Sequence, residues 1–159
     1  MDFCYAYTMP ACCHHVDSPP CTFGSCDAVQ TVAPTCGTSC PSKTSINYGS
    51  DKRKVRNNYG FGQNIDSIKN DIMSFGPVSA AFTVYEDFLT YSSGVYSYQT
   101  GQSLGGHAIK IYGWGHDVTS GKDYWICMNS WNNFWGQNGA FWIEMGQCGI
   151  NNEVNAGQI

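Results

Sequence analysis

The sequence is poor in charged residues, and this scarcity narrows its fold class. Only 13% of the 159 residues are Asp, Glu, Lys or Arg, whereas soluble domains carry roughly 25%. In their place stand 18 glycines, 10 tyrosines and many small polar residues. This mixture is typical of a loop-rich β protein and argues against a helical bundle.

Basic residues and long apolar runs are also scarce. Eight Lys and Arg residues against twelve Asp and Glu give a formal net charge of −4, unlike the basic surface of nucleic-acid-binding domains. No apolar run approaches the ~18 residues that a membrane span requires. The opening residues MDFCYAYTMP have neither the basic start nor the apolar centre of a signal peptide. We therefore expect no nucleic-acid partner, no membrane partner and no signal peptide in this chain.

Cysteine, by contrast, is abundant and clustered. Seven of the nine cysteines lie between Cys4 and Cys40, a density that predicts a disulfide framework formed in the secretory pathway. An odd number leaves at least one thiol free or paired outside the chain. A secretory protein without a signal peptide would be explained if the chain were missing its front end.

The chain divides into two regions with different patterns. Residues 1–60 hold most of the cysteines and prolines and little periodicity, which predicts a long surface excursion held by cross-links. Its last part, residues 43–60, is interpreted as a solvated connector. After it, Asn64 can cap a helix that Gly76-Pro77 ends. The apolar positions of this helix recur at helical spacing and are Ile65, Ile68, Ile72 and Phe75.

The rest of the sequence predicts a β sheet. Five short segments rich in β-branched and aromatic residues are separated by glycine-containing turns, and they span residues 78–84, 94–98, 107–114, 123–131 and 139–146. Strands at this spacing are typical of an antiparallel sheet that curls toward a barrel.

Two residues in these strands could share a catalytic chemistry. His107 opens one strand directly after two glycines, and Asn129 ends a later strand. Neighbouring antiparallel strands could bring them together, so that the Asn oxygen accepts the imidazole Nδ1–H while Nε2 faces a nucleophile. Trp131 is then placed to shield that hydrogen bond from water. A purely structural histidine is the commoner reading of such a position, and the residues alone leave it open.

Four segments in this order resemble the second half of the papain family of cysteine peptidases: GPVSAAFTVYEDFLTYSSGVY, GGHAIKIYGWG, YWICMNSWNNFWGQNGAFWI and CGINNEV. The front segment CYAYTMPACCHHVDSPPC is similar to the occluding loop, the insertion that distinguishes cathepsin B-like members. The resemblance implies an α+β papain-like fold, mainly its antiparallel β-barrel domain. Residues 1–159 would form one such C-terminal domain, with the disulfide-rich loop region and connector in 1–60 and the barrel half in 61–159.

The resemblance also implies roles for individual residues. His107 matches the catalytic histidine, and Asn129 matches the residue that orients it. His14 and His15 match loop histidines that receive the C-terminal carboxylate of a substrate, the basis of peptidyl-dipeptidase activity. The other implied substrate-binding residues are Ala81, Ala108 and Glu153, in the pocket for the second residue before the cleaved bond, and Trp131 on the leaving-group side.

For the cysteines, the resemblance implies two disulfides, Cys4–Cys40 and Cys12–Cys21. Cys36 matches a cysteine whose partner lies in the family's first half, and Cys13 and Cys26 have no counterpart, although they could bond to each other. Two further cysteines in the strand region are expected to be buried thiols; they are Cys127 and Cys148.

A zinc site at Cys12-Cys13-His14-His15 is an alternative interpretation of the front loop. Four adjacent side chains cannot easily surround one ion, and the usual C-x₂-C spacing is missing. We therefore expect no metal and no cofactor.

The sequence departs from the family pattern in two places. It has no C-G-S-C-W type motif, so the nucleophilic cysteine is expected to be absent and the chain to be inactive alone. The front loop is shorter than the family form and lacks the Arg before Pro19-Pro20, while Phe134 stands where that Arg's acidic partner would be. We expect the loop to be held differently and to open more readily, which favours endopeptidase action.

By resemblance, the function is peptide-bond hydrolysis in lysosomes, vacuoles or secretions. The implied partners are peptide or protein substrates, the missing first half of the fold, and propeptide or cystatin-type inhibitors. We expect a fragment of an active peptidase. The alternative is a catalytically dead binding protein that retains the substrate groove.

Overall fold

The computed structural model of the protein describes residues 9–17, 20–28, 35, 37–40 and 45–158. Cys4 and Cys36 lie outside the described residues, so their predicted pairings stay predictions. Within these ranges no helix is long and apolar enough to cross a membrane.

The described residues form nine strands and two α-helices, joined by loops and three short 3-10 turns. In chain order the strands and helices are β1 (Cys12–Cys13), β2 (Gly24–Ser25), α1 (Tyr48–Asp51), β3 (Asn57–Gly60), α2 (Ile65–Phe75), β4 (Val78–Tyr85), β5 (Val95–Tyr96), β6 (Ser103–Asp117), β7 (Lys122–Met128), β8 (Ala140–Glu144) and β9 (Glu153–Gln158). The 3-10 turns are Cys26–Ala28, Glu86–Thr90 and Gln147–Gly149.

Seven of the strands make one sheet in the order β3-β9-β4-β6-β7-β8-β5. All neighbours run antiparallel except β5, which is parallel to β8. The predicted mainly antiparallel sheet is therefore confirmed. The two remaining strands, β1 and β2, pair with each other in the front loop.

The predicted helix is confirmed as α2. The Asn64 side chain accepts a hydrogen bond from the backbone N–H of Ser67 at its start, and Gly76 caps its end with a φ of 103°. Ile68 is fully buried against the sheet. Phe75 was expected on the same face but remains 66% exposed, so the buried stripe ends one turn before the helix does.

The core lies between α2 and the sheet and is rich in aromatic rings. Along β4 the side chains alternate strictly, with Val78, Ala80, Phe82 and Val84 buried, as expected for a strand with one face on the core. Aromatic side chains from the turn after β4, from β7 and β8 and from the loop between them complete this core, and Phe88, Trp125, Trp135 and Phe141 are each at most 1% exposed. Burying each such ring contributes roughly 1.5–3 kcal/mol.

The region expected to be a connector contains two regular elements. Asn57–Gly60 pairs with β9 as the edge of the sheet, and Tyr48–Asp51 is a short helix whose N-cap, Asn47, accepts from the backbone N–H of Ser50. Residues 45–60 are mostly exposed, as expected for a solvated connector, but residues 57–60 belong to the sheet and not to the connector. β9 was also not predicted, because neither strand carries the apolar alternation that marked the others.

Candidate active site

His107 and Asn129 meet at the ends of two neighbouring strands. His107 lies near the start of β6, and Asn129 directly follows the last residue of β7. The His107 Nε2 atom lies 2.8 Å from the Asn129 Oδ1 atom, a normal hydrogen-bond distance. The structure thus brings together the two residues that the sequence had paired.

The pairing uses the other ring nitrogen from the one expected. Asn129 Oδ1 can only accept, and it also accepts from the backbone N–H of Ser130 at 2.8 Å. Nε2 of His107 therefore donates, and Nδ1 is left with its lone pair for a reacting group. The expected Nδ1–H bond was wrong because Nε2 is the ring nitrogen farther from the backbone and reaches across to the next strand.

The backbone holds Asn129 in place. Its N–H donates to the carbonyl of Gly139 at 2.9 Å, so the turn before β8 fixes the residue that orients His107. The Asn129 Nδ2 atom is buried and has no hydrogen-bond partner among the described residues.

Trp131 covers this pair. Its ring stacks on His107 with centroids 5.0 Å apart and an angle of 26°. Only 7% of its surface is exposed, because its other contacts include Phe88 and Trp135 in the core. An indole in this position excludes water from the His107–Asn129 hydrogen bond, which strengthens it.

The two loop histidines also contact Trp131. The His14 ring stacks on it with centroids 5.1 Å apart, and the His15 ring meets it edge-on at 4.7 Å. Burial, and then the nearby His107, lower the pKa of His14, while burial, and then His14, lower the pKa of His15. Three imidazoles therefore surround one indole.

The three residues expected in the specificity pocket lie in one row of the sheet. Ala81 of β4 pairs with Ala108 of β6 on one side and with Glu153 of β9 on the other. Directly opposite residues of adjacent strands point to the same face. A cavity of about 150 Å³ beside this row is lined by Ala81 and Glu153, together with Thr83, Gly106 and Cys148. Ala108 lies next to Ala81 but does not line this cavity.

A second cavity, of about 290 Å³, lies beside His107. His15 and Trp131 line it, and so do three apolar side chains that sequence reasoning missed, Val84, Leu89 and Leu104. The sequence carries one signal for Leu104, which is an apolar residue directly before two glycines. In the structure its side chain is 51% exposed.

The disulfides of the front loop differ from those expected. Cys12 bonds to Cys26 and Cys13 bonds to Cys21, so the predicted Cys12–Cys21 bond is wrong. Adjacent residues of a strand point to opposite sides, which sends the two neighbouring cysteines to different partners. Cys40 is also disulfide-bonded. Cys12 and Cys13 therefore have no free thiolate, so the alternative zinc site at residues 12–15 lacks two of its four ligands.

The free thiols of the described residues do not look like nucleophiles. Cys127 is fully buried, and burial raises its pKa far above the ordinary value. Cys148 is half-buried in a 3-10 turn and not in a strand, and burial raises its pKa to about 11. An activated cysteine has a lowered pKa, so neither thiol is poised to serve His107.

Comparison with known proteins agrees with this geometry. The sequence profile described as "Papain family cysteine protease" matches residues 4–158. The chain is 42% identical over 154 residues to a protein named cathepsin B from Dictyostelium discoideum, covering 97% of this chain and 46% of that protein. It is 48% identical over 141 residues to a gut-specific cysteine proteinase from Caenorhabditis elegans, covering 87% of this chain and 42% of the relative.

A solved structure shows the same fold. The proCathepsin B S9 structure from Trypanosoma congolense superposes with a TM-score of 0.76 at 30% identity, covering 98% of this chain and 46% of the other. The predicted papain-like fold is therefore confirmed, and the chain spans about half the length of the relatives it matches. With its matched profile, its cathepsin B-like relatives and this fold, the chain belongs to the papain family of cysteine proteases.

Proposed function

We propose that this chain contributes the histidine–asparagine part of a cysteine peptidase that hydrolyses peptide bonds. The observation that supports the proposal is the 2.8 Å bond between His107 Nε2 and Asn129 Oδ1, beneath a Trp131 side chain that is only 7% exposed. A cysteine thiolate from outside these 159 residues would complete the site, and without it the chain is inactive.

In the proposed mechanism, Nδ1 of His107 handles the protons. The thiolate attacks the substrate carbonyl, and the imidazolium gives its Nδ1 proton to the leaving amine. Neutral His107 then takes a proton from water, which hydrolyses the acyl-enzyme and restores the pair. Throughout the cycle Asn129 accepts from Nε2 and holds the ring in one orientation.

His14 and His15 are proposed to bind the C-terminal carboxylate of a peptide, which gives peptidyl-dipeptidase activity alongside endopeptidase action. His15 and His107 line the same 290 Å³ cavity, so a carboxylate at the loop histidines lies on the leaving-group side. Protonated imidazoles form charge-assisted hydrogen bonds to carboxylates.

Glu153 is proposed to select basic residues in the pocket for the second residue before the cleaved bond. It lines the 150 Å³ cavity beside Ala81, whose small side chain leaves room for a substrate. A carboxylate there pairs with a substrate Arg, while the neighbouring methyl groups accept apolar side chains.

The remaining partners follow from the family. We propose that the first half of the papain fold binds this chain, and that propeptide or cystatin-type inhibitors act on the assembled site. The two front-loop disulfides support an oxidising setting, in the lysosome, the vacuole or outside the cell.

The test compares the chain alone with the chain assembled with a papain-family first half that carries the nucleophile. A fluorogenic Arg-Arg peptide and a thiol-directed epoxide report activity and its cysteine dependence. We expect turnover only in the assembly, blocked by the epoxide and lost in a matched His107→Ala assembly.

Turnover by the chain alone would contradict the claim that the nucleophile comes from outside these 159 residues. An assembly that binds the peptide without cleaving it would favour a binding protein over a peptidase.

A further inference from the structure

Among the described residues, one short segment of the barrel makes several contacts with the front loop. Trp131 contacts both loop histidines, Asn132 bonds to the loop backbone, and Phe134 meets a loop phenylalanine. We call residues 131–134 the latch segment. It begins two positions after Asn129, so whatever holds the loop is continuous with the residue that orients His107.

Asn132 is built to connect two parts of the chain. Its Oδ1 accepts the backbone N–H groups of Phe134 at 2.8 Å and Trp135 at 3.3 Å. Its Nδ2 donates to the carbonyl of Cys12 at 3.2 Å. The oxygen end thus fixes its own turn, in which Asn132 has a φ of 73°, and the nitrogen end holds the loop. Asn is one of the few residues that accepts this backbone conformation readily.

Phe134 makes the second connection. Its ring meets Phe23 of the loop at a centroid distance of 6.1 Å and an angle of 75°, an edge-to-face geometry that stabilises aromatic pairs. Phe134 occupies the position expected for the acidic partner of the missing Arg. It therefore contacts the loop through an aromatic pair and not through a salt bridge.

The disulfides allow these few contacts to hold a whole loop. Cys12–Cys26 and Cys13–Cys21 close rings with sequence separations of 14 and 8. Cross-links remove conformational freedom from the free loop, so less entropy is lost when it docks. Cys12, whose carbonyl accepts from Asn132, and Phe23, near Cys21, are both fixed close to a cross-link.

We propose that Asn132 and Phe134 are positioning residues that hold the disulfide-closed loop against Trp131. This docking does not rest on the proposed function, and it can be measured in the chain without catalysis.

The sharpest variant is Asn132→Asp. A carboxylate still accepts from Phe134 and Trp135, so the turn survives, but it has no N–H to donate and it repels the Cys12 carbonyl. Asn133→Asp is the matched control, because it makes the same charge change at the adjacent exposed residue. A second pair removes the ring from the loop side, with Phe23→Ala compared with Phe75→Ala, both at exposed positions where the barrel does not depend on the ring.

The readouts are the titration of the His14 and His15 ring signals by NMR and their acylation by diethyl pyrocarbonate at about pH 7.5, where imidazoles are neutral. In Asn132→Asp and Phe23→Ala we expect both pKa values to rise toward the ordinary value of about 6.5. Acylation of both histidines should become about fivefold faster, the factor that the net loss of one hydrogen bond gives. The control variants should match the unaltered chain.

If Asn132→Asp and Phe23→Ala match their controls in both readouts, the latch is overturned. An inactive assembly with a released loop would count against the proposed function and leave the docking proposal standing.

Discussion

Asn129 accepts a hydrogen bond from Nε2 of His107 across 2.8 Å, and the same oxygen accepts from the backbone N–H of Ser130. The second bond fixes which end of the carboxamide faces the imidazole. The ring is therefore held in the tautomer that carries its proton on Nε2, and Nδ1 is free for proton transfer.

Replacing Asn129 by Ala removes this orientation. In the assembled enzyme we expect Asn129→Ala to lower kcat about 100-fold with little change in KM, because a misplaced catalytic group loses rate more than binding. Steady-state kinetics on a fluorogenic peptide measure the split. Asn133→Ala, at an exposed neighbour, is the control, and an equal loss there would contradict the role of Asn129.

Acid should release the front loop. The pKa values of His14 and His15 are lowered in the docked loop, by burial first and by a neighbouring imidazole second. A released loop therefore binds protons more readily, so docking is fully stable above the ordinary pKa of about 6.5 and weakens as the pH falls below it. The exchange between docked and released His14 signals, followed by NMR from neutral to acidic pH, checks this. Docking that strengthens in acid would contradict the sign.

Glu153 should control the choice between basic and apolar side chains. We expect Glu153→Gln to lower kcat/KM about tenfold for a peptide with Arg at the second position before the cleaved bond, because a charge-assisted hydrogen bond is lost. A matched peptide with Phe at that position is the internal control and should be cleaved as before. Equal losses on both peptides would mean that Glu153 has a structural role only.

Gly136 should tolerate no side chain. Its φ is 59°, and a Cβ atom there would lie 2.7 Å from the carbonyl oxygen of Ala140. Gly121 is the control, because its φ is 69° and its Cβ would meet nothing within 4 Å. We expect Gly121→Ala to lower the free energy of unfolding by about 1 kcal/mol and Gly136→Ala by about 3 kcal/mol. Urea denaturation measures both, and equal values would show that the backbone contact has no effect.

The sequence was most informative where local rules decide the structure. The Asn64 cap and the alternation of β4 needed only short-range patterns, and both are present in the structure. β3 and β9 were missed because the segments NNYG and EVNAGQ lack such a pattern and become strands through tertiary pairing, β3 with β9 and β9 also with β4.

Details of the site depended on tertiary geometry. The meeting of His107 and Asn129 followed from strand ends and resemblance, but the ring nitrogen that donates is set by how the strands lie in space. The cysteine pairing failed for a similar reason. Cys12 and Cys13 are neighbours in sequence, so spacing alone does not choose between their partners, whereas their opposite directions in β1 do.

The latch segment also constrains how this chain can evolve. Trp131 touches His107 and both loop histidines, and Asn132 ties the next turn to the loop. Under the proposed function, a substitution at either position changes the surroundings of His107 and the docking of the loop together, so the two properties are inherited as one. Phe23 lies on the loop side of the contact, and there the docking can change while the surroundings of His107 stay as they are.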